Sequence, residues 1–474
     1  MSSLKFGTSG LRGLVTELLG EPAALWTAAF LRYLENSTPK CARTLYIGRD
    51  LRSSSPAIAG DCAAAAANRG WLVVDCGALP TPALALAARE AGAPAVMVTG
   101  SHIPDDRNGL KFYTEAGEIT KDDEAGILAA LPKSVSLSSG GVETPQDASA
   151  EAMERYRRRY TDFFGPDVLK GLRVGVYQQS SVARDVLTAI LADLGAAVIP
   201  FERADRFIPV DTEAHRPEDL RLLREWAGAN TVDAIVSCDG DADRPLVADA
   251  ASQVVRGDLL GLLTSQYLGL GTVVTPITSS AAVETSGVAQ TVIRTRVGSP
   301  YVIAAMDEAL SAGANDVVGF EANGGVLLAS DVECSGRRLG ALPTRDAVLP
   351  IICALASARS AGVQLREVVD RLGAGHALAD RLKEIPAELS APLLARLADD
   401  PIYAEQFFAE MGEIDSISRL DGVRFLLSDG STVHFRASGN APEFRCYVEA
   451  QDAGRASLLL DWGLAKARAE MRAA

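Results

Sequence analysis

The chain has 474 residues, 48% of them apolar and 23% charged, with a net charge of -15 at pH 7. A single core stops growing well before this length, so several domains are expected. The charge excludes a nucleic-acid partner, which requires a basic face, but leaves room for small phosphorylated ligands that need only a local arginine cluster. Seven cysteines (41, 62, 76, 238, 334, 353 and 446) are scattered and never spaced C-x-x-C, which argues against zinc and disulfide frameworks and for reduced thiols. The opening MSSLKFGTSGLRG lacks the apolar stretch of a signal peptide, and alanine-rich runs such as 62–67 are too short to cross a bilayer. A soluble cytoplasmic protein with no membrane partner is the expectation.

In chain order, GTSGLRG at 7–13 has the glycines of an anion-binding loop with Arg12 as its charge, a weak signal alone. In GRDLRSSSP, Ser54 or Ser55 before Pro56 reads as a helix N-cap with proline at N1, a structural role. Strands are expected at 44–48 and 95–99, the second leading into Gly100-Ser101-His102, and chemistry in open α/β sheets gathers at such carboxyl ends. There is no G-x-S-x-G elbow, so a serine-hydrolase reading lacks support. Adjacent side chains on an extended segment diverge, which suits His102 to orienting a phosphate or sugar rather than serving as base for its neighbour. On local sequence, Ser101 as a helix cap and Lys111 as a surface lysine stay open beside Ser101 as nucleophile and Lys111 as proton shuttle or phosphate partner.

Residues 134–149 are Ser/Gly-rich and polar, a linker in composition, and the charged helix EAMERYRRRYTDFF opens a second block. Its strands, 172–177 and 233–237, lead into DGDADR, where Asp239, Asp241 and Asp243 alternate. Counted as an EF-hand from Asp239, the sixth position is Arg244 rather than Gly and the twelfth is Ala250 rather than Glu, so that loop is excluded. Three repelling carboxylates after an apolar strand suit one hard cation, with Mg²⁺ the natural candidate, against the alternative of a solvated acidic loop. After a turn near 251–252, a third block places strands at 271–277 and 316–320, leading into Glu321 and Asn323. These two suit sugar hydroxyls, or an ordinary glycine-bearing turn. The three blocks imply βαβ units and mainly parallel sheets. Beyond 373–375, LDGVRFLLSDGSTVHFRAS has strands joined by an Asp-Gly turn, and a fourth, α+β domain with an antiparallel sheet is expected. In RASGNAPEFR, Arg436 and Arg445 flank Ser438, Gly439 and Asn440, a set able to clamp phosphate.

Taken in order, GTSGLRG, TGSH…NGLKF, DGDADR, TRVGSPYV, GFEANGG and RASGNAPEFR resemble the α-D-phosphohexomutase superfamily over the whole chain. The resemblance implies four domains around a central cleft, each giving one loop: a phosphoserine domain (1–147), a metal-binding domain (148–252), a sugar-binding domain (253–370) and a C-terminal phosphate-binding domain (371–474). It implies that Ser101 carries a phosphoryl group and that Asp239, Asp241 and Asp243 hold Mg²⁺ with it. Arg12, His102, Lys111 and Arg244 would lie at the transferring phosphate. Glu321, Asn323 and Arg296 would bind substrate, and the 436–445 loop its distal phosphate. The implied reaction interconverts hexose 1- and 6-phosphates of mannose, glucose or both through a hexose 1,6-bisphosphate, with glucose 1,6-bisphosphate as activator. Nothing in the sequence demands a dimer, and a monomer is the expectation. TGSH resembles the phosphomannomutase/phosphoglucomutase branch, whereas EANGG is similar to the loop of phosphoacetylglucosamine mutases, which keeps an amino-sugar substrate as the alternative. Ile103 stands where asparagine is common, and Arg296 where lysine is frequent. A sugar phosphatase, a bisphosphate synthase and a non-catalytic structural member are the rivals, the last disfavoured because Ser101 and all three aspartates are present.

Overall fold

The computed structural model describes residues 3–7, 10–38, 43–135, 144–438 and 442–473. The same four-strand ladder recurs in three successive sheets. In the first, Thr44–Arg49 lies between Leu72–Ala78 and Ala95–Val98, parallel to both, and Ala95–Val98 pairs on its other side with antiparallel Arg107–Thr114. In the second, Arg173–Gln179 lies between Ala197–Arg203 and Ala234–Cys238, with Pro245–Asp249 antiparallel beyond. In the third, Thr272–Pro276 lies between Thr291–Thr295 and Val317–Phe320, with Val326–Leu328 antiparallel beyond. The strands AVMV, AIVSC and VVGF are buried at every position, as a strand covered on both faces must be. Each ends at the turn carrying one of the three special loops, so the positional equivalence expected from the pattern is seen in the sheets.

Lys5–Phe6, Leu11–Leu14, Gly117–Glu118 and Gln146–Asp147 extend the first sheet to eight strands. The stretch read as a linker therefore ends in sheet: Gln146 and Asp147 pair with Val74 and Asp75, while 136–143 lie outside the described residues. Helix Ser149–Phe164 follows, with Tyr156, Tyr160, Phe163 and Phe164 buried on one side and arginines on the other. That face joins a core shared by helices Thr81–Glu90, Arg184–Asp193, Gly257–Leu268 and Val348–Ala361, so the three α/β units are packed into one body.

The last unit is an antiparallel sheet ordered His376–Lys383, Glu443–Ala450, Thr432–Ala437, Val423–Leu427, Ile414–Ser418. The expected Asp-Gly turn is Asp429-Gly430, with Gly430 at φ +80°. Along Glu443–Ala450 burial alternates strictly, one face packing with Phe407, Phe408, Phe425, Phe435 and Phe444 in a separate core. Polar contacts join this unit to the third: Ser280 Oγ and Ala281 N donate to Glu449, and Val297 N to Asp421 Oδ2. A unit with its own core and polar contacts to its neighbour is free to move as a body. No helix among the described residues is long and apolar enough to cross a membrane.

Candidate active site

The serine loop closes on the metal loop. Ser101, 0% exposed, donates its Oγ–H to Asp239 Oδ2 at 2.5 Å, and His102 Nδ1 lies 3.2 Å from Ser101 Oγ. Ser101 sits at φ +53° and Ala242, within DGDADR, at φ +60°. Residues with a Cβ pay roughly 1–2 kcal/mol in this region, and such strain clusters at functional loops. The approach is close enough that a Cβ on Gly240 would lie 2.8 Å from the Ser101 carbonyl oxygen. Burial, then the charge of Arg244, holds His102 well below the ordinary imidazole value, so its ring is neutral.

Asp239, Asp241 and Asp243 place one carboxylate oxygen each within 4.8 Å of one another, all buried. Asp239 Oδ1 accepts from the backbone N–H groups of Asp243 and Arg244. Asp241 Oδ2 accepts from Lys111 Nζ and Thr81 Oγ, both at 2.6 Å. Asp243 Oδ2 accepts from Lys111 Nζ at 2.6 Å and Arg345 Nη2 at 2.8 Å. Burial, with repulsion from Asp241 and Asp243, pushes Asp239 well above the usual carboxylate range. Burial would raise Asp243 too, but Arg345, Lys111 and Arg244 outweigh it and hold it below that range. Burial disfavours the Lys111 charge, yet Asp241 and Asp243 keep it protonated. Asp241 Oδ1 and Asp243 Oδ1 are buried without any hydrogen-bond partner. Two orphaned carboxylate oxygens beside a third aspartate, with no sulfur or imidazole in the cluster, fit a hard divalent cation.

A cleft of about 730 Å³ opens above this floor, lined on one side by Arg12, His102, Arg244, Arg345, Glu321 and Asn323. Enclosure, then the charges of Arg244 and Arg345, lowers Arg12 to about 10, and Arg244 Nε is buried without a hydrogen-bond partner, 3.7 Å from Asp243 Oδ1. Crowded guanidiniums of this kind call for an anion. Glu321 Oε2 accepts from Arg345 Nη1 at 3.0 Å and Asn323 Nδ2 at 3.3 Å. On the opposite wall, Arg381, Arg445 and Arg436 stand abreast as direct cross-strand partners on three neighbouring strands. Glu443 pairs with both Arg381 and Arg445, at 3.3 and 3.2 Å, and offsets part of their like-charge repulsion, which a phosphate between them would offset further. Ser438 lines the same wall, while Gly439 and Asn440 lie outside the described residues. Arg436 meanwhile pairs with Asp421 at 2.9 Å. Arg296 is not brought into this cleft. It lines a neighbouring one of about 370 Å³, its Nε donating to Leu420 O, although Val297 and Gly298 line both.

Several residues of the site carry no sequence motif. Arg345 and Arg381 are two. Two more lie in GRDLRSSSP, which does more than start a helix: Ser54 occupies the cap position with no side-chain cap bond, and Ser55 Oγ instead donates to Asp50. Asp50 also accepts from Thr99 Oγ and the Gly100 backbone, and from Arg52 Nε. The Arg52 guanidinium donates to the carbonyls of Ser101, Ile103, Pro104 and Arg107 and lies 3.9 Å from the Phe207 ring. A Cβ on Gly100 would meet that guanidinium at 2.6 Å. Asp50 and Arg52, both 1% exposed, are therefore the frame of the serine loop. Arg52→Met leaves Asp50 without its buried ion partner and four loop carbonyls without their donor, and a loss of about 3–5 kcal/mol is expected in urea unfolding.

Against known proteins, residues 3–136, 157–252 and 256–374 match the three families described as Phosphoglucomutase/phosphomannomutase, alpha/beta/alpha domains I, II and III. The chain belongs to this family: it is a phosphohexomutase, an enzyme of the intramolecular phosphotransferase class. It is 48% identical over 471 residues to a phosphomannomutase of Sinorhizobium fredii, covering 98% of this chain and 99% of the relative. It is 42% identical over 455 residues to a phosphomannomutase of Salmonella muenchen, covering 95% and 92%. In fold it is similar to a phosphoglucomutase/phosphomannomutase family protein of Burkholderia thailandensis, with a TM-score of 0.76, 20% identity and coverage of 98% and 97%.

Proposed function

We propose that this enzyme interconverts the 1- and 6-phosphates of mannose, and secondarily of glucose, through phosphorylated Ser101 and a hexose 1,6-bisphosphate. The observation that carries the reading is the Ser101 Oγ–Asp239 contact at 2.5 Å, which sets this serine against the aspartate cluster. The mannose preference is supported by the two phosphomannomutases at 48% and 42% identity.

Mg²⁺ held by Asp239, Asp241 and Asp243 would supply charge neutralisation to phosphoryl oxygens. The chain's own residues do the rest. In transfer, the P–Oγ bond of phosphoserine breaks as a P–O bond to the hexose hydroxyl forms. The proton lost by the hexose hydroxyl is the one gained by Ser101 Oγ, so the exchange balances, and the freed Oγ–H then donates to Asp239 Oδ2. Arg12 and Arg244 offset charge on the moving group, and neutral His102 orients it. Glu321 and Asn323 hold sugar hydroxyls while Arg381, Arg436, Ser438 and Arg445 grip the distal phosphate. Phosphate bound to Arg436 would compete with Asp421 Oδ1, while Asp421 Oδ2 keeps its bond from Val297 N. The last unit, which has its own core and forms one wall of the cleft, would move to admit and release substrate.

³¹P NMR with Mg²⁺ and a trace of glucose 1,6-bisphosphate tests this, with mannose, glucose, glucosamine and N-acetylglucosamine 1-phosphates supplied singly. Mannose 6-phosphate should form fastest and glucose 6-phosphate next. Turnover of the amino sugars alone would overturn the substrate assignment, and inorganic phosphate without isomerisation would mark a phosphatase.

A further inference from the structure

Arg345 is the penultimate residue of a strand, Leu342–Asp346, whose sequence LPTRD announces no chemistry. Its side chain is 3% exposed, and its guanidinium is divided between two loops. Nη2 and Nε donate to Asp243 Oδ2 at 2.8 and 3.1 Å, and Nη1 donates to Glu321 Oε2 at 3.0 Å. The residues on either side fasten the strand. Thr344 Oγ donates to Glu118 Oε1 of the first unit at 2.8 Å. Asp346 accepts from Tyr156 and Tyr160 on helix Ser149–Phe164 and from Val348 N. Three consecutive buried polar side chains thus tie one strand to every α/β unit, and the Arg345 head has no freedom to swing.

We propose that Arg345 is a positioning residue that fixes the sugar-binding carboxylate, Glu321, relative to the metal loop, so that a hexose hydroxyl held by Glu321 arrives in register with the phosphoryl group on Ser101. This rests on the reading of Glu321 as a sugar ligand. A planar fork can hold two carboxylates at a set separation and angle, whereas a lysine ammonium is a point charge on a flexible stem. Charge alone does not suffice for this role, and Arg345→Lys is the informative variant. It keeps Asp243 compensated and so spares the fold, while surrendering the fixed geometry.

The test compares Glu321→Gln, Arg345→Lys and the double variant, using mannose 1-phosphate as the probe. KM is measured in turnover, and Kd by calorimetry on a Ser101→Ala background, where no transfer occurs. Arg345→Lys should keep its melting temperature and raise both KM and Kd by about 10- to 100-fold, the range seen when an outer partner of a site residue is lost. Because Arg345 acts through Glu321, the double variant should bind no worse than Glu321→Gln by more than about twofold. An Arg345→Lys enzyme with unchanged KM and Kd, beside a weakened Glu321→Gln, would overturn the proposal alone. So would losses that simply multiply in the double variant. If Glu321→Gln itself leaves mannose 1-phosphate affinity unchanged, the sugar-site reading falls and this inference with it.

Discussion

Ser101→Ala is expected to reduce hexose phosphate interconversion by a factor on the order of 10⁴ or more, as loss of a covalent nucleophile does. The fold should survive. What shapes the serine loop is its backbone, through the Ser101 carbonyl on Arg52 and the Ser101 N–H on Thr99 Oγ, and alanine keeps both. The side chain gives up one hydrogen bond, to Asp239, worth roughly 0.5–3 kcal/mol. Alanine and serine suffer alike at φ +53°, so no new backbone strain enters. Circular dichroism should therefore overlay, while intact mass should show one phosphoryl group on the parent enzyme and none on the variant. A folded Ser101→Ala enzyme that still isomerises mannose 1-phosphate would end the phosphoserine reading. One that keeps the phosphoryl group would move it to another residue.

The parts of this molecule legible in the sequence are those whose signal is local. Apolar runs ending in a polar loop marked the strands before Ser101, Asp239 and Glu321 to within two residues, because burial on both faces leaves no polar position in the strand. The Asp-Gly turn marked the last sheet for an equally local reason. Arg345 was not legible because its meaning comes from three units meeting, and TRD looks the same on any buried edge. The arginine ladder was half legible: Arg436 and Arg445 lie near a glycine, but Arg381 joins them only once His376–Lys383 pairs with Glu443–Ala450. GRDLR looked like helix-start chemistry because the partner of Arg52 is a set of carbonyls some fifty residues away. Arg296 sits in the expected motif, yet the packing of the last unit turns it toward Leu420.

Asp239→Asn is expected to abolish divalent-cation binding and to lower turnover by a factor on the order of 10³ or more, since a missing metal ligand removes both charge and template. The charge balance makes the direction clear. Asp239, Asp241 and Asp243 face the cations Lys111, Arg244, Arg345 and Arg12. Removing one carboxylate takes away a ligand and an anionic group where cations already crowd, so a dication entering the pocket is held far less well. The same substitution should not harm the cation-free protein. Asparagine can still accept from the Asp243 and Arg244 N–H groups through its oxygen, and it relieves the burial and repulsion that push Asp239 above the carboxylate range. The melting temperature without metal should therefore equal or exceed that of the parent. Ligand linkage supplies the discriminating measurement: Mg²⁺ at about 100 times its Kd stabilises a site by roughly 2.7 kcal/mol. Thermal unfolding with and without Mg²⁺ should show a rise for the parent and none for Asp239→Asn. A Mg²⁺-dependent rise retained in the variant would mean that the cation binds away from this triad, and Ser101 would then have to be activated by Lys111, Arg244 and Arg345 alone.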